Sequence, residues 1–239
     1  MKPTVSIVIP VRDEEQNVGR VIEETIRVAK TCCRRFEILV NDDASVDRSP
    51  EILADLQKRY RTIRVFHQKK SLGIARGLKF LYTNAQYEYV FNTAGDGEYS
   101  SSDLPVMLDK AVAGYDIVVG KRKRKNYTLW RKCVSSLYNV LSYVLFGVTT
   151  YDAGSLRVCR RSVLQSIRPI SNGVFNEAER IIRAQMIGYR ICSVDVHHFP
   201  RVGGTAQGAR LPLILEAVRE MFTLWFFLKI KRVSPITMV

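Results

Sequence analysis

Tyr87-Glu88-Tyr89-Val90-Phe91 runs without a break into Asn92-Thr93-Ala94-Gly95-Asp96-Gly97-Glu98-Tyr99. The first five positions read as a buried strand. The next eight place two carboxylates, Asp96 and Glu98, with a glycine between them, at its carboxyl end. Open parallel sheets take their ligands outside the carboxyl ends of their strands. Two carboxylates two positions apart can hold a hard divalent cation, and such a cation can clamp a diphosphate. A plain acidic turn without metal uses the same residues, so the stretch takes its meaning from the rest of the chain.

On both sides of it, strands alternate with helices. Val5-Ser6-Ile7-Val8-Ile9-Pro10 is a buried strand. Asp13 is placed to cap the following helix, with Gln16 completing a capping box. Val18, Val21, Ile22, Ile26 and Ala29 then recur at helical spacing. Phe36-Glu37-Ile38-Leu39-Val40 is a second strand, ending in Asn41-Asp42-Asp43. Ser49-Pro50 reads as an N-cap with proline at the first helical position. Ile63 to Phe66 is a third strand, a turn at Gly73 opens a helix to about Tyr82, and 116–119 is a fifth strand after 87–91. Strands alternating with helices of this size predict a mostly parallel α/β sheet covered on both faces, with right-handed crossovers. Farther on, 129–146 is a long helix, 156–159 a short strand, 176–186 a helix and 189–196 a strand. With no repeat or low-complexity linker, 1–208 reads as one domain and 209–239 as a helical tail.

The 239 residues carry a net charge of +14, which predicts an anionic partner: nucleic acid, a phosphorylated substrate or an acidic membrane surface. The charge is concentrated at Lys121-Arg122-Lys123-Arg124-Lys125, with Arg131 and Lys132 close behind. Aromatic residues are not interleaved with that block, which argues against a specific nucleic-acid module. The five cysteines, Cys32, Cys33, Cys133, Cys159 and Cys192, show no CxxC or Cys/His metal spacing and point to a reduced, cytosolic compartment. No signal peptide is visible at the N-terminus.

Acidic residues follow three of the strands: Glu14 after the first, Asp42 and Asp43 after the second, Asp96 and Glu98 after the fourth. Carboxylates accept hydrogen bonds from base N–H groups and ribose hydroxyls. Each site alone is explained by a turn or cap; the coincidence of three on one sheet edge points to a ligand. No GxGxxG and no GxxxxGK[ST] is present, so neither a dinucleotide fingerprint nor a P-loop is signalled.

In order along the chain, these stretches resemble glycosyltransferase family 2, and within it the dolichol-phosphate-mannose-synthase-like enzymes. The run from Val5 to Asn17 is similar to "VSIVIPxYNEExN", and Val40-Asn41-Asp42-Asp43-Ala44-Ser45-Val46-Asp47 to "VVDDGSTD". Gly73 stands at the glycine of "NxG", and Asp96-Gly97-Glu98-Tyr99 at the end of "DxDGQY". Val119-Gly120-Lys121-Arg122 is similar to "xGSR", Asp152-Ala153-Gly154-Ser155-Leu156-Arg157 to "DxGCSLR", Glu177-Ala178-Glu179 to "DAE", and Arg201-Val202-Gly203-Gly204-Thr205 to "RxxGxS".

The resemblance implies a GT-A type Rossmann-like sheet, a nucleotide-diphospho-sugar donor (UDP- or GDP-linked), inversion at the anomeric carbon and transfer to a polyprenyl phosphate. By position, Glu14, Asp42 and Asp43 would hold the nucleoside, with Pro10 and Gly73 also on the donor side. Asp96 would bind metal, and Arg122 and Arg201 would face phosphates. The family's first metal aspartate falls on Ala94 and its glutamine on Glu98, so Asp96 and Glu98 are expected to hold Mg²⁺ or Mn²⁺ together with the diphosphate. A polyprenyl phosphate is already anionic and needs no general base. A sugar hydroxyl would, and Glu177 or Glu179 would then be the candidate. A non-lipid acceptor and a non-catalytic relative are the alternatives.

His197 and His198 lack a sequence-near metal partner and read as structural. The tail, 211–230, is interrupted by Glu216, Arg219 and Glu220 and makes a poor membrane span. Its Leu/Phe/Trp content and the flanking Lys229, Lys231 and Arg232 suit either an interfacial helix on an anionic leaflet or a helix that packs on the domain or makes a dimer. Peripheral contact with the cytoplasmic membrane face, or a membrane partner protein, is therefore expected.

Overall fold

The computed structural model describes residues 2–122, 129–200 and 211–236. Arg201 and the rest of its motif, the basic positions 123–125, and the side chains of Arg131, Lys132 and Cys133 lie outside the described residues.

Seven strands form one sheet: β1 Thr4–Val11, β2 Arg35–Asp42, β3 Ile63–His67, β4 Tyr89–Asn92, β5 Ile117–Arg122, β6 Arg157–Arg160 and β7 Ile191–Val196. Their order is β3-β2-β1-β4-β6-β5-β7. Every pairing is parallel except those of β6, which runs antiparallel to both β4 and β5. The helices are α1 Val18–Cys32, α2 Ser49–Arg59, α3 Ile74–Asn84, α4 Leu104–Val112, α5 Leu129–Phe146, α6 Arg161–Ser166, α7 Asn176–Ile187 and α8 Leu211–Trp225, the last continued by a π-helical turn, Phe226–Ile230.

The strands alternate their side chains between two apolar layers. Val5, Ile7 and Ile9 of β1 pack with Ile22, Leu53 and Met107 of α1, α2 and α4. Val8, Leu39 and Val90 face the other way, onto Leu81 of α3 and Ile181 of α7. Burial on both faces is why these strands read as continuous apolar runs. A third cluster joins Phe146 of α5, Phe175, Ala178 and Ile182 around α7, and Ala217, Met221, Leu224 and Leu228 of the tail.

Two features of the topology place the cleft. From β1 the chain winds outward through β2 and β3 and then returns to β4 on β1's other side, so a crevice opens between the loops that follow β1 and β4. And because β6 is reversed, its first residue lies at this edge: Arg157 pairs with Asn92, the last residue of β4. The loop 152–156 therefore meets the loop after β4.

Several local expectations are corrected. Asp13 does not cap α1, which begins at Val18 with no side-chain cap bond. Its backbone is left-handed, φ 54°, and its Oδ1 accepts instead from Val46 N at 2.8 Å. A donor 33 residues away displaced the local one. Ser49 is the first residue of α2 rather than its cap, and Arg48 holds the cap position. The Ser49 hydroxyl accepts from Glu14 N at 2.9 Å. The fourth strand begins at Tyr89 rather than Tyr87.

Candidate active site

The loops after β1 and β2 lock to each other. Asp13 N donates to Ser45 Oγ at 3.0 Å and Glu15 N to Asp47 Oδ2 at 2.9 Å, while Arg48 N donates to Glu15 Oε2 at 3.0 Å. Asp42 and Asp43 are both buried at the end of β2. Asp42 accepts from Ser45 N at 3.1 Å and lies 2.8 Å from His67 Nδ1. Asp43 accepts from Leu72 N at 2.6 Å, Ser71 Oγ at 2.6 Å and Gly73 N at 3.1 Å. It thereby pins the turn into α3, whose Gly73 has φ 75°. Glu14 accepts from Asn17 Nδ2 at 3.2 Å. These acids lie at the interlocked loops that follow β1 and β2. They also hold the loops in place, using part of the acceptor capacity of each carboxylate.

The loop after β4 is equally constrained. A Cβ on Gly97, which has φ 73°, would come 2.5 Å from Arg20 Nη2, and one on Gly95 would come 2.9 Å from Val11 Cγ2. The positive φ favours glycine at 97, a side chain at 95 would have to displace Val11 or the Pro10 carbonyl, and the two glycines flank Asp96. Asp96 Oδ1 accepts from Glu98 N at 3.0 Å. Phe199 N donates to Glu98 O at 2.8 Å, and Tyr99 bridges to His198. This pairing brings His198 Nε2 to 3.6 Å from Glu98 Oε2. Sequence reasoning set His198 aside because its partner is 100 residues earlier. His197 has the structural role expected of it, with its N and Nδ1 both 2.7 Å from the Asp103 carboxylate. Burial pushes the Tyr99 phenol up to about 12, so it stays neutral.

Arg122, at the end of β5, is 12% exposed and grips Asp152 through Nε at 2.8 Å and Nη2 at 2.6 Å. The guanidinium expected to face phosphate thus reaches the cleft already paired.

Between the loops lies a cavity of about 250 Å³, lined by Pro10, Thr93, Ala94, Ser155, Asn176 and Glu177 among others. Behind it, Arg157 donates to Glu177 and to the Ala153 carbonyl. Glu177 also lies 3.6 Å from Arg180 Nε, and the Arg180 guanidinium stacks 5.1 Å from the Tyr82 ring centre. Burial lowers the Arg157 pKa, but Glu177 and its other neighbours outweigh that and raise it, so it stays charged. Among the described residues, buried atoms of the cavity lining, Thr93 Oγ1, Arg157 Nε, Asn176 Oδ1 and Glu177 Oε1 among them, find no hydrogen-bond partner within the protein. Buried polar atoms are rarely left so, and their clustering suits a polar ligand or bound water. Glu179 is fully buried and accepts from Ile170 N at 2.8 Å, Ser171 N at 2.9 Å and Arg183 Nη1 at 2.9 Å. Neither acid of α7 turns to open solvent.

Among the described residues no three His, Cys, Asp or Glu side chains form a ready-made metal cage. The donors available after β4 are the oxygens of Asp96 and Glu98. Their chemistry fits a hard cation that completes its shell with phosphate oxygens and water.

The sequence model described as glycosyl transferase family 2 matches residues 6–168. The chain is 26% identical over 222 residues to an undecaprenyl-phosphate 4-deoxy-4-formamido-L-arabinose transferase of Pseudomonas paraeruginosa, covering 90% of this chain and 64% of that protein. A protein of the same name from Pectobacterium atrosepticum is 27% identical over 216 residues, covering 88% and 64%. The chain thus spans less than two thirds of the length of these relatives. Among solved structures, glucosyl-3-phosphoglycerate synthase from Mycobacterium tuberculosis, crystallised with Mn²⁺, UDP and phosphoglyceric acid, superposes with a TM-score of 0.73 at 15% identity, covering 93% of this chain and 78% of that one. Mannosyl-3-phosphoglycerate synthase from Rubrobacter xylanophilus superposes with a TM-score of 0.74 at 17% identity, covering 97% and 76%. At these identities the likeness establishes the shared GT-A fold.

Proposed function

Since this chain belongs to glycosyl transferase family 2, we propose that it transfers a sugar, with inversion, from a UDP- or GDP-sugar to a polyprenyl phosphate at the cytoplasmic face of a membrane. The relatives named for transfer to undecaprenyl phosphate support the acceptor class. The observation that carries it is the arrest of both α7 acids by arginines: Glu177 is paired with Arg157 and Arg180, and Glu179 with Arg183. With both carboxylates engaged in these buried ion pairs, neither is set out to take a proton from an acceptor, so this site suits an acceptor that arrives ionised.

Catalysis then consists of positioning and charge stabilisation. Pro10, Glu14, Asp42, Asp43 and Gly73 shape the nucleoside end. Asp96 and Glu98, with His198 beside them, would hold Mg²⁺ or Mn²⁺, which would supply positive charge to the departing diphosphate. The cavity beyond Ala94 takes the sugar, whose hydroxyls answer the unpartnered atoms of Thr93, Asn176 and Glu177. Arg201 meets the acceptor phosphate, while Arg122 braces the loop 152–156 through Asp152.

The test is a transfer assay with polyprenyl phosphate in detergent, a panel of UDP- and GDP-sugars, and Mn²⁺ present or absent, with lipid products read by mass spectrometry. A metal-dependent lipid-phosphate-sugar is expected. Turnover onto a soluble hydroxyl acceptor with none onto lipid phosphate would overturn the acceptor class. Glu98→Ala is expected to weaken Mn²⁺ binding by about tenfold, a modest loss because carboxylate number tunes such sites; unchanged affinity, read by calorimetry, would remove Glu98 from the set.

A further inference from the structure

Among the described residues, exposed large apolar side chains concentrate on two helices. On α5 they are Leu137, Val140, Tyr143 and Val144. On α8 and its π turn they are Leu211, Leu215, Phe222, Phe226 and Ile230. Both sets follow helical spacing: 137, 140 and 144 make one stripe, and 211, 215, 222 and 226 another. Each helix buries its opposite side in the same cluster. Tyr138, Leu141, Leu145 and Phe146 of α5 and Ala217, Met221 and Leu224 of α8 pack there, over α7. Ser142 Oγ lies 3.8 Å from Met221 Sδ. Two helices that touch each other and turn their inner faces to one cluster must both present their outer faces away from it.

We infer that α5 and α8 together form one docking face for an anionic lipid bilayer, so that α5 as well as the tail lies in the membrane interface. No described helix is long and apolar enough to cross a membrane, which leaves the face lying on the bilayer rather than spanning it. Charge selects the occupant. Lys229, Lys231 and Arg232 are exposed at the end of the tail, and Lys231 Nζ lies 5.9 and 5.7 Å from the ring centres of Phe226 and Phe227. That is an apolar stripe with a cationic rim, suited to acyl chains below and anionic headgroups around. A second copy would set the same patch against itself and oppose like charges on a chain of net charge +14. The inference deepens the reading of a lipid-borne acceptor and rests on it for its purpose.

The test is flotation of the intact chain with vesicles of phosphatidylcholine alone or mixed with phosphatidylglycerol. Wild type is expected to float only with the anionic vesicles. Val140→Glu with Val144→Glu is expected to weaken binding at least tenfold, as is Phe222→Glu with Phe226→Glu, since charge at the interface opposes burial of an apolar face. Removing Lys229, Lys231 and Arg232 is expected to weaken it roughly fivefold per charge. All the substituted side chains are exposed, so circular dichroism and the thermal midpoint should match wild type. Loss in the tail variant with unchanged flotation of the α5 variant would overturn the shared face. A wild-type dimer by sedimentation velocity that the α5 charges dissociate, with flotation unchanged, would assign the face to a second copy and overturn the inference. Flotation requires no turnover. A chain that floats but transfers nothing counts against the transferase reading, and one that transfers in detergent but does not float counts against this inference.

Discussion

At the β1–β2 end of the cleft, carboxylates are answered largely by the backbone. Asp13 takes Val46 N, Asp42 takes Ser45 N, and Asp43 takes Leu72 N and Gly73 N. At the β6–α7 end they are answered by buried guanidinium groups, Arg157 and Arg180 on Glu177 and Arg183 on Glu179. The first arrangement is a loop frame whose carboxylates are already bonded to the chain before any ligand arrives. The second pairs its charges but leaves Arg157 Nε, Asn176 Oδ1 and Glu177 Oε1 unpartnered, so its bonding is finished only by a ligand or by water. Rigidity and unmet hydrogen-bonding capacity are thus divided between the two ends.

The largest effect should come from breaking the second arrangement. Glu177→Ala strands Arg157 and Arg180 as buried charges and should cost about 3–5 kcal/mol of stability. Urea denaturation measures it, and Arg157→Met added to Glu177→Ala should recover part of the loss, since Arg180 stays buried without its carboxylate. A neutral Glu177→Ala would mean that the pairing is incidental. Asp96→Ala lies between the two ends and should separate function from stability. Transfer is expected to fall by about 10²–10³-fold, on the scale of losing one preorganised electrostatic contact, while stability falls by only about 1 kcal/mol through loss of the bond from Glu98 N. At the first end, Asp43→Ala removes three hydrogen bonds from one buried carboxylate and should cost about 2–3 kcal/mol. It should weaken nucleotide binding as well, since the turn at Gly73 is then unpinned. If stability falls but nucleotide affinity holds, the frame and the nucleoside site are separate.

Smaller effects sharpen the link between the cavity and the tail. Glu220 of α8 accepts from Asn172 N at 2.8 Å and Gly173 N at 2.9 Å, and Gly173 and Val174 line the cavity. Glu220→Ala should cost about 1 kcal/mol and raise the KM for the acceptor while leaving nucleotide affinity unchanged, as steady-state kinetics with each substrate varied would show. Ala94→Asp restores a carboxylate to the cavity wall and should tighten Mn²⁺ binding several-fold, again read by calorimetry.

The first end was legible in the sequence and most of the second was not. Asp42 and Asp43 follow an unbroken apolar run, and Gly73 precedes a helical pattern, so strand ends and turn were marked by neighbouring residues. The glycines on either side of Asp96 carried a local signal too, later explained by the close approach of Val11 and Arg20. Yet the same local logic failed at Asp13 and Ser49, where partners about 30 residues away displaced the expected caps. It was silent on His198, which reaches Glu98 only through the bridge of Tyr99 to the segment after β7. The pairing of Glu177 with Arg157 was hidden as well, because it joins a helix to a strand whose direction the sequence does not carry.

By itself the sequence determined which segments are strands and helices, that both faces of the sheet are covered, and which carboxylates stand at strand ends. Burial sets side-chain periodicity, and periodicity is written in consecutive residues. Tertiary structure alone decided that β6 runs backward between β4 and β5, so that its first residue rather than its last reaches the cleft. It alone paired the α7 acids with arginines, and it alone laid α5 beside α8 with their apolar stripes outward. A pattern of burial records how far a residue is from water, but neither the direction of a strand nor the identity of the neighbour that covers it.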